Sequence, residues 1–288
     1  MYLNNKYYAY LTAGIFLLLS ILLGTSIGTV NVPILTIIKI IEAKLFGFVS
    51  LERIDPMFIN IVLDIRLPRV ILSGLVGAAL AVAGAAFQGL LRNPLADPYT
   101  LGVSSGASVG AVITLFFQLS IPFIGSFTLP FVSIVFSLVT IVFVLVFARK
   151  MERSMRVETI ILTGIIFSSF LGALISLMIA LTGDELRQII SWLLGSVSMR
   201  GWEYIKIILP FLIIGSVILM MNAKELNAMS FGEEKAQHLG VNVQSRKLMI
   251  LIAGSILTGA SVAVSGTIGI VGLVIPHLAR LCWGPDHK

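Results

Sequence analysis

Charge is what this sequence has least of. Asp, Glu, Lys and Arg make up 12% of its 288 residues, about half the roughly 25% of a soluble domain, which excludes an ordinary soluble enzyme and a disordered chain. Cysteine is nearly missing too. Cys282 alone cannot close an internal disulfide, and three scattered histidines offer no zinc-ligand spacing, so no resident metal is expected. What is present is apolar: 57% of the residues, with a mean hydropathy of +1.02. One domain of this size cannot bury that much apolar surface, so lipid is part of the solvent. Twenty Lys and Arg outnumber fourteen Asp and Glu. In such a chain that excess sets orientation and does not point to nucleic acid.

A helix needs about 20 apolar residues to cross a core of roughly 30 Å. Stretches 7–28, 70–91, 99–121, 127–148, 159–181 and 207–221 meet or approach this test, the last extending back toward Tyr204. Residues 248–279 carry no charge but are too many for one straight span. Gly266, Gly269, Gly272 and Pro276 divide them into a helix over 248–265 and a shorter, broken one over 267–283. The fold class is therefore all-α: a polytopic transmembrane bundle of eight segments in a single domain over 1–288. The first segment lacks a small-residue cleavage site and is read as a retained helix. Segment 149–156 has four basic residues in eight, against five in forty-one over 29–69, a bias that puts the N-terminus and loops 92–98, 149–158 and 222–247 in the cytoplasm. Residues 32–49 and 184–200 have the apolar spacing of helices lying at the interface, with Trp192 and Trp202 near the headgroups.

A shift of 182 residues lays Gly77-Ala-Ala-Leu-Ala-Val-Ala-Gly84 on Gly259-Ala-Ser-Val-Ala-Val-Ser-Gly266 and Pro94 on Pro276. The two copies run oppositely in this topology, which makes them an inverted repeat of the kind that builds transport pathways; composition shared by small-residue packing helices is the alternative. No Asp or Glu lies inside a span, and Gln88, Gln118 and His277 are almost the only strongly polar groups there. An ion-coupled secondary carrier, the rival reading, needs buried ionisable groups for its relay. No Gly-x-x-x-x-Gly-Lys-Ser/Thr loop is present, so nucleotide energy must come from another chain. Gly102-Val-Ser-Ser-Gly106 matches the nucleophile elbow of hydrolases, with Ser104 as nucleophile. That elbow needs a strand-to-helix turn, whereas here the motif opens a small-residue helix. In loop 222–247, Ser230 and Glu233 have capping-box spacing and Gly240 suits a helix stop, which gives either a short helix fit to dock a soluble partner or a solvated turn between two spans.

Six strings in order, Arg66-Leu-Pro-Arg69, the octet 77–84, Asn93-Pro-Leu-Ala-Asp-Pro98, Leu101-Gly-Val-Ser-Ser-Gly-Ala107, Phe231-Gly-Glu-Glu-Lys-Ala-Gln-His-Leu-Gly240 and Gly269-Ile-Val-Gly-Leu-Val-Ile-Pro-His-Leu-Ala-Arg280, carry a resemblance to the FecCD-type permeases of ATP-binding-cassette importers for iron-siderophores, haem and cobalamin. The resemblance implies a multi-pass protein of the cytoplasmic membrane paired with a second permease copy or a paralogue. It also implies two ATPase subunits, which hold ATP and Mg, and an extracytoplasmic solute-binding protein. This chain itself carries no cofactor and no catalytic residue on that reading. By position, Arg66 and Arg69 would receive acidic groups of the binding protein, Asn93 and Leu95 would gate the inner mouth, and Glu233, Glu234, Ala236 and Gly240 would form the loop that couples to the ATPase. Family members have ten spans where eight are found here, so the second half of the repeat is expected to lack its last two helices, as in a truncated chain.

Overall fold

The structure is a computed structural model that describes residues 6–47 and 54–283. Every regular element among them is a helix. Five helices are long and apolar enough to cross a membrane, and three shorter apolar ones account for the remaining expected segments. Two units are described separately below.

The first unit holds α1 (Lys6–Ser26), α2 (Ile34–Phe46), α3 (Pro56–Asn60), the start of α4 (Leu67–Leu91) and residues 197–206. The expected interfacial helix is α2. It turns Ile37 and Ile40 inward onto Val32 and Val62 and ends at Gly47. Residues 48 and 49, at the end of that expectation, lie outside the described residues. Asp55 caps α3 by accepting from the Met57 N–H at 2.8 Å, and Pro56 occupies the first turn, where its missing N–H costs nothing. Between α3 and α4 the backbone widens into a π-helical turn, Ile61–Arg66. It sits just before Pro68, which has no N–H to offer the Asp64 carbonyl and whose ring would crowd it in an α-helix.

The second unit contains α5 (Val103–Phe116), α6 (Thr128–Met151), α7 (Val157–Leu181), α8 (Leu186–Leu193), most of α9 (Trp202–Met221), α10 (Ala223–Ser230), α11 (Glu233–His238), α12 (Val243–Ser265) and α13 (Val271–Trp283), together with the rest of α4. α12 is its axis: 78% of its apolar window is buried, against 17% for α7. Small residues make that possible. Gly254 faces the Phe87 ring and Gly259 faces Ser137, so closely that a Cβ at either would overlap its neighbour, which is how helices approach when lipid supplies no hydrophobic drive between them. Ser255, Thr258, Ser261 and Ser265 are buried and return their hydroxyls to carbonyls one turn back, so these four hydroxyls are satisfied within α12 itself.

One expected span differs from its prediction. Residues 99–121 do not form one span: a 3-10 turn occupies Pro98–Leu101, and α5 has 14 residues, about 21 Å. Trp192 is turned into the protein: it is buried on α8 beside Ala107, Ala111 and Val262. The break expected after residue 265 is real. Gly266 has φ +71, and a Cβ there would strike the Trp192 carbonyl, so glycine is required on both grounds. The irregular stretch that follows is bonded from several sides. Ser196 N donates to the Ser265 carbonyl at 2.7 Å, Thr267 donates to the Leu193 carbonyl, and Tyr99 donates to the Ile268 carbonyl at 2.7 Å. Non-helical backbone among spanning helices persists only where protein or trapped water satisfies it in this way.

Candidate functional site

The α10–α11 loop is built on four inward side chains and a charge. Ala223, Leu226 and Met229 recur along one face of α10 and are buried, and Ala236 is the sole buried residue of α11; Leu226, Met229 and Ala236 enter the main core beside Leu219 and Val243. Gly240 has φ +83, and its N–H bonds the Gln237 carbonyl at 2.9 Å, the left-handed stop anticipated from sequence. The anticipated capping box is absent. Ser230 closes α10 by donating to the Asn227 carbonyl at 2.7 Å, and Gly232, with φ +120, precedes α11. Glu233 is thereby released from capping, and its Oε1 lies 2.6 Å from Lys247 Nζ.

Sequence reasoning missed the two bases on the other side of the loop. Arg246 and Lys247 stand near the N-terminus of α12. Lys247 is 1% exposed, pairs with Glu233 and donates to the Met155 carbonyl at 2.9 Å. Arg246 donates to Asn222 Oδ1 at 2.9 Å and lies 3.5 Å from Glu225. Cations near a helix N-terminus oppose its dipole, and this is the signal that could have marked both residues as serving something other than α12. A cavity of about 470 Å³ opens beside the loop, lined by Arg92, Arg156, Glu158 and residues 231–235. The three loops that charge bias assigns to one side of the membrane therefore meet. Hydrogen bonds from Ser154 and Thr159 hold the Glu152 carboxyl below its ordinary value, so it stays anionic beside Arg156, 2.9 Å away. Outward from the loop project Phe231 and Leu239, each 74% exposed, and the exposed Glu234, Lys235 and His238.

At the end of α4, Arg92 takes φ +50 and Asn93 Oδ1 accepts from the Leu95 N–H at 2.9 Å, an Asx turn that holds Leu95 out with 71% exposure. Arg92 shares the cavity with residues 231–235, while Lys247 at the start of α12 pairs with Glu233. So α4 ends where α12 begins, and the two Gly-Ala octets run antiparallel as the repeat requires. Their continuations diverge: Pro94 is in a loop, Pro276 inside α13. A Cβ on Gly84 would fall on the Gly272 carbonyl, and Gln88 donates to the Leu273 and Gly272 carbonyls at 3.1 and 3.4 Å while accepting from Arg280. Gln88 is thus the fastener between α4 and the broken helix. Gln118 is exposed, has φ +48 and donates to Glu185 at 2.6 Å.

Arg66 and Arg69 part company. Arg66 is 9% exposed. Its Nη1 donates to the Thr25 and Ser26 carbonyls at 2.9 and 2.8 Å, and Nη2 donates to the Val30 carbonyl. Gly28 makes room for the guanidinium, which a Cβ would overlap. The expectation that Arg66 receives a partner's acid does not fit this placement, because its donors are directed at the C-terminal carbonyls of α1 and the turn after it. Arg69 is exposed and available for that role.

Against protein-family models, residues 16–288 match the FecCD transport family. The chain belongs to the FecCD transport family. It is 60% identical over 285 residues, 99% of its length and 80% of the other's, to YvrB, an uncharacterized ABC transporter permease protein of Bacillus subtilis (strain 168). It is 40% identical over 228 residues, 79% of its length and 60% of the other's, to the cobalamin import system permease BtuC of Halobacterium salinarum. Among solved structures, one described as an inward-facing conformation of a metal-chelate type ABC transporter superposes with a TM-score of 0.80 at 32% identity, covering 95% of this chain and 81% of that one.

As a FecCD member the chain is a multi-pass helical permease, and such subunits are transport components rather than enzymes. The elbow motif fits that membership: Ser104 is buried in the first turn of α5, preceded by a 3-10 turn rather than a strand. His277 and Cys282 are exposed on α13, and no group of three or more His, Cys, Asp or Glu suited to a metal occurs among the described residues. The structure brings Glu233, Glu234 and Arg92 to one cavity, with Ala236 and Gly240 shaping the helix that carries the two acids.

Proposed function

We propose that this FecCD permease carries a metal chelate, an iron-siderophore or haem, or else a corrinoid into the cell. It works with a second permease subunit, two ATPase subunits on the cytoplasmic face and a solute-binding protein on the other. The supporting relatives are the cobalamin permease and the metal-chelate transporter above, a haemin permease and an iron-citrate permease. One feature of this chain carries the reading: a short helix, anchored by a buried Ala236 and by an ion pair to the buried Lys247, that with its flanks presents Phe231, Glu234 and Leu239 outward. Apolar side chains that a monomer leaves exposed around an acid make a docking knob for a soluble partner.

In this mechanism ATP and Mg act in the partner. Closure of the ATPase pair displaces α10–α11, the Asn93–Leu95 turn shifts at the inner mouth, and Arg69 steers the binding protein. An exposed ion pair is worth only about 0–1 kcal/mol, so Arg69 affects the encounter rate more than the hold. Glu234→Arg is expected to abolish co-purification of the ATPase subunits while the permease still accumulates in the membrane, since Glu234 is exposed and has no structural partner among the described residues. Undiminished ATPase association in that variant would remove the knob from the mechanism.

A further inference from the structure

Resting on the reading just given, we infer that Lys247 is a positioning residue: the strut that converts displacement of α10–α11 into movement of α12 and, through it, of the inner mouth. Its ammonium has two partners on different loops, Glu233 Oε1 at 2.6 Å and the Met155 carbonyl at 2.9 Å. One atom thus joins α11, the α6–α7 connection and the first turns of α12. Local needs do not account for it. A cation opposes the dipole at this end of α12, and at a position 1% exposed an apolar residue, with its partner at 233 also made apolar, would suit the core as well, because replacing both members of an ion pair by packed apolar groups is often neutral or stabilising.

What the pair supplies is direction. A carboxylate and an ammonium in contact, with the ammonium buried, resist separation more steeply than two packed methyl groups. The adjacent Arg246 ties α12 to α10 as well, through Asn222 and Glu225, so both short helices of the loop are bonded to the same turns of α12. From there the contact is rigid. Gly254, two turns further along, faces the Phe87 ring without room for a Cβ, and Phe87 lies two turns before the Asn93–Leu95 turn on α4. Glu233, assigned to ATPase docking by resemblance, belongs to this strut instead; its carboxylate faces Lys247, leaving Glu234 outermost.

The test uses the whole transporter, permease pair with ATPase subunits, in proteoliposomes. The reporter is Leu95→Cys on a Cys282→Ser background, labelled with a membrane-impermeant maleimide with and without ATP and vanadate. ATPase co-purification and hydrolysis are read in parallel. Lys247→Met is expected to retain both while the nucleotide-dependent change in labelling rate falls on the order of tenfold, within the usual range of coupling between sites. Lys247→Arg, which keeps the charge and has donors for both partners, is expected to recover part of it. The double variant Lys247→Met with Glu233→Met leaves no unpaired buried charge and is expected to fold and show the same loss. A full nucleotide-dependent change in either methionine variant overturns the strut. Failure of the unsubstituted permease to bind the ATPase, or to respond to nucleotide, overturns the importer reading beneath it.

Discussion

Gly84→Ala is expected to destabilise the permease, while Gly77→Ala, seven residues earlier in the same helix, leaves it unchanged or stabilises it. In a helix interior alanine is favoured over glycine by up to about 1 kcal/mol, and at Gly77 a Cβ meets nothing within 4 Å. At Gly84 it falls on the Gly272 carbonyl oxygen. That carbonyl cannot step aside cheaply. It and the Leu273 carbonyl accept from Gln88, and behind them Gly272 is already tight against the Leu80 carbonyl and the Pro98 ring, 3.1 Å from each by its own absent Cβ. Overpacking costs about 1–3 kcal/mol, and each buried hydrogen bond lost adds roughly 1 kcal/mol. The check is the thermal unfolding midpoint of the two variants in detergent. Equal midpoints would mean that α4 and α13 do not touch at these glycines.

Arg66→Lys is expected to be nearly as damaging, although it keeps the charge. The guanidinium reaches three carbonyls, those of Thr25, Ser26 and Val30, with a planar fork of donors that an ammonium cannot reproduce. Each buried carbonyl left unbonded costs about 1–3 kcal/mol, so the end of α1 should loosen. Hydrogen exchange over residues 20–30 measures this directly, and faster exchange is expected in the lysine variant. If Arg66 instead served the binding protein as a simple positive charge, lysine would substitute for it and exchange would not change. Arg69→Ala provides the contrast: slower encounter with the binding protein, with exchange over 20–30 unaltered.

The two arginines show where sequence stops being sufficient. Their motif identified a pair of cations at one end of a span. The π-helical turn Ile61–Arg66, which no hydropathy pattern signals, decides that one points at α1 and the other outward. Hydropathy was reliable for long spans because a bilayer imposes a length. It overextended residues 99–121, where Pro98 and a left-handed Gly102 (φ +79) postpone the helix to Val103 while the apolar composition continues unbroken. In the α10–α11 loop, Gly240 was legible because a left-handed stop has a residue signature. The Ser230 and Glu233 spacing was not, because the competing donor for the Glu233 carboxylate, the buried Lys247, lies 14 positions downstream and only folding brings it near. Antiparallel octets could be anticipated, since similarity of sequence and parity of spans fix their direction; how each copy ends depends on Gly266 and its neighbours in space.

The central claim is that this chain is moved from its inner face by a nucleotide-hydrolysing partner. The measurement that tests it is uptake into proteoliposomes of three probes, a ferric siderophore, haem and cobalamin, each offered with its binding protein, using the permease pair with and without ATPase subunits. Accumulation of one probe is predicted only when ATPase and ATP are both present, and a proton or sodium gradient should not replace them. Uphill accumulation by the permease pair alone, driven by such a gradient, would contradict the account.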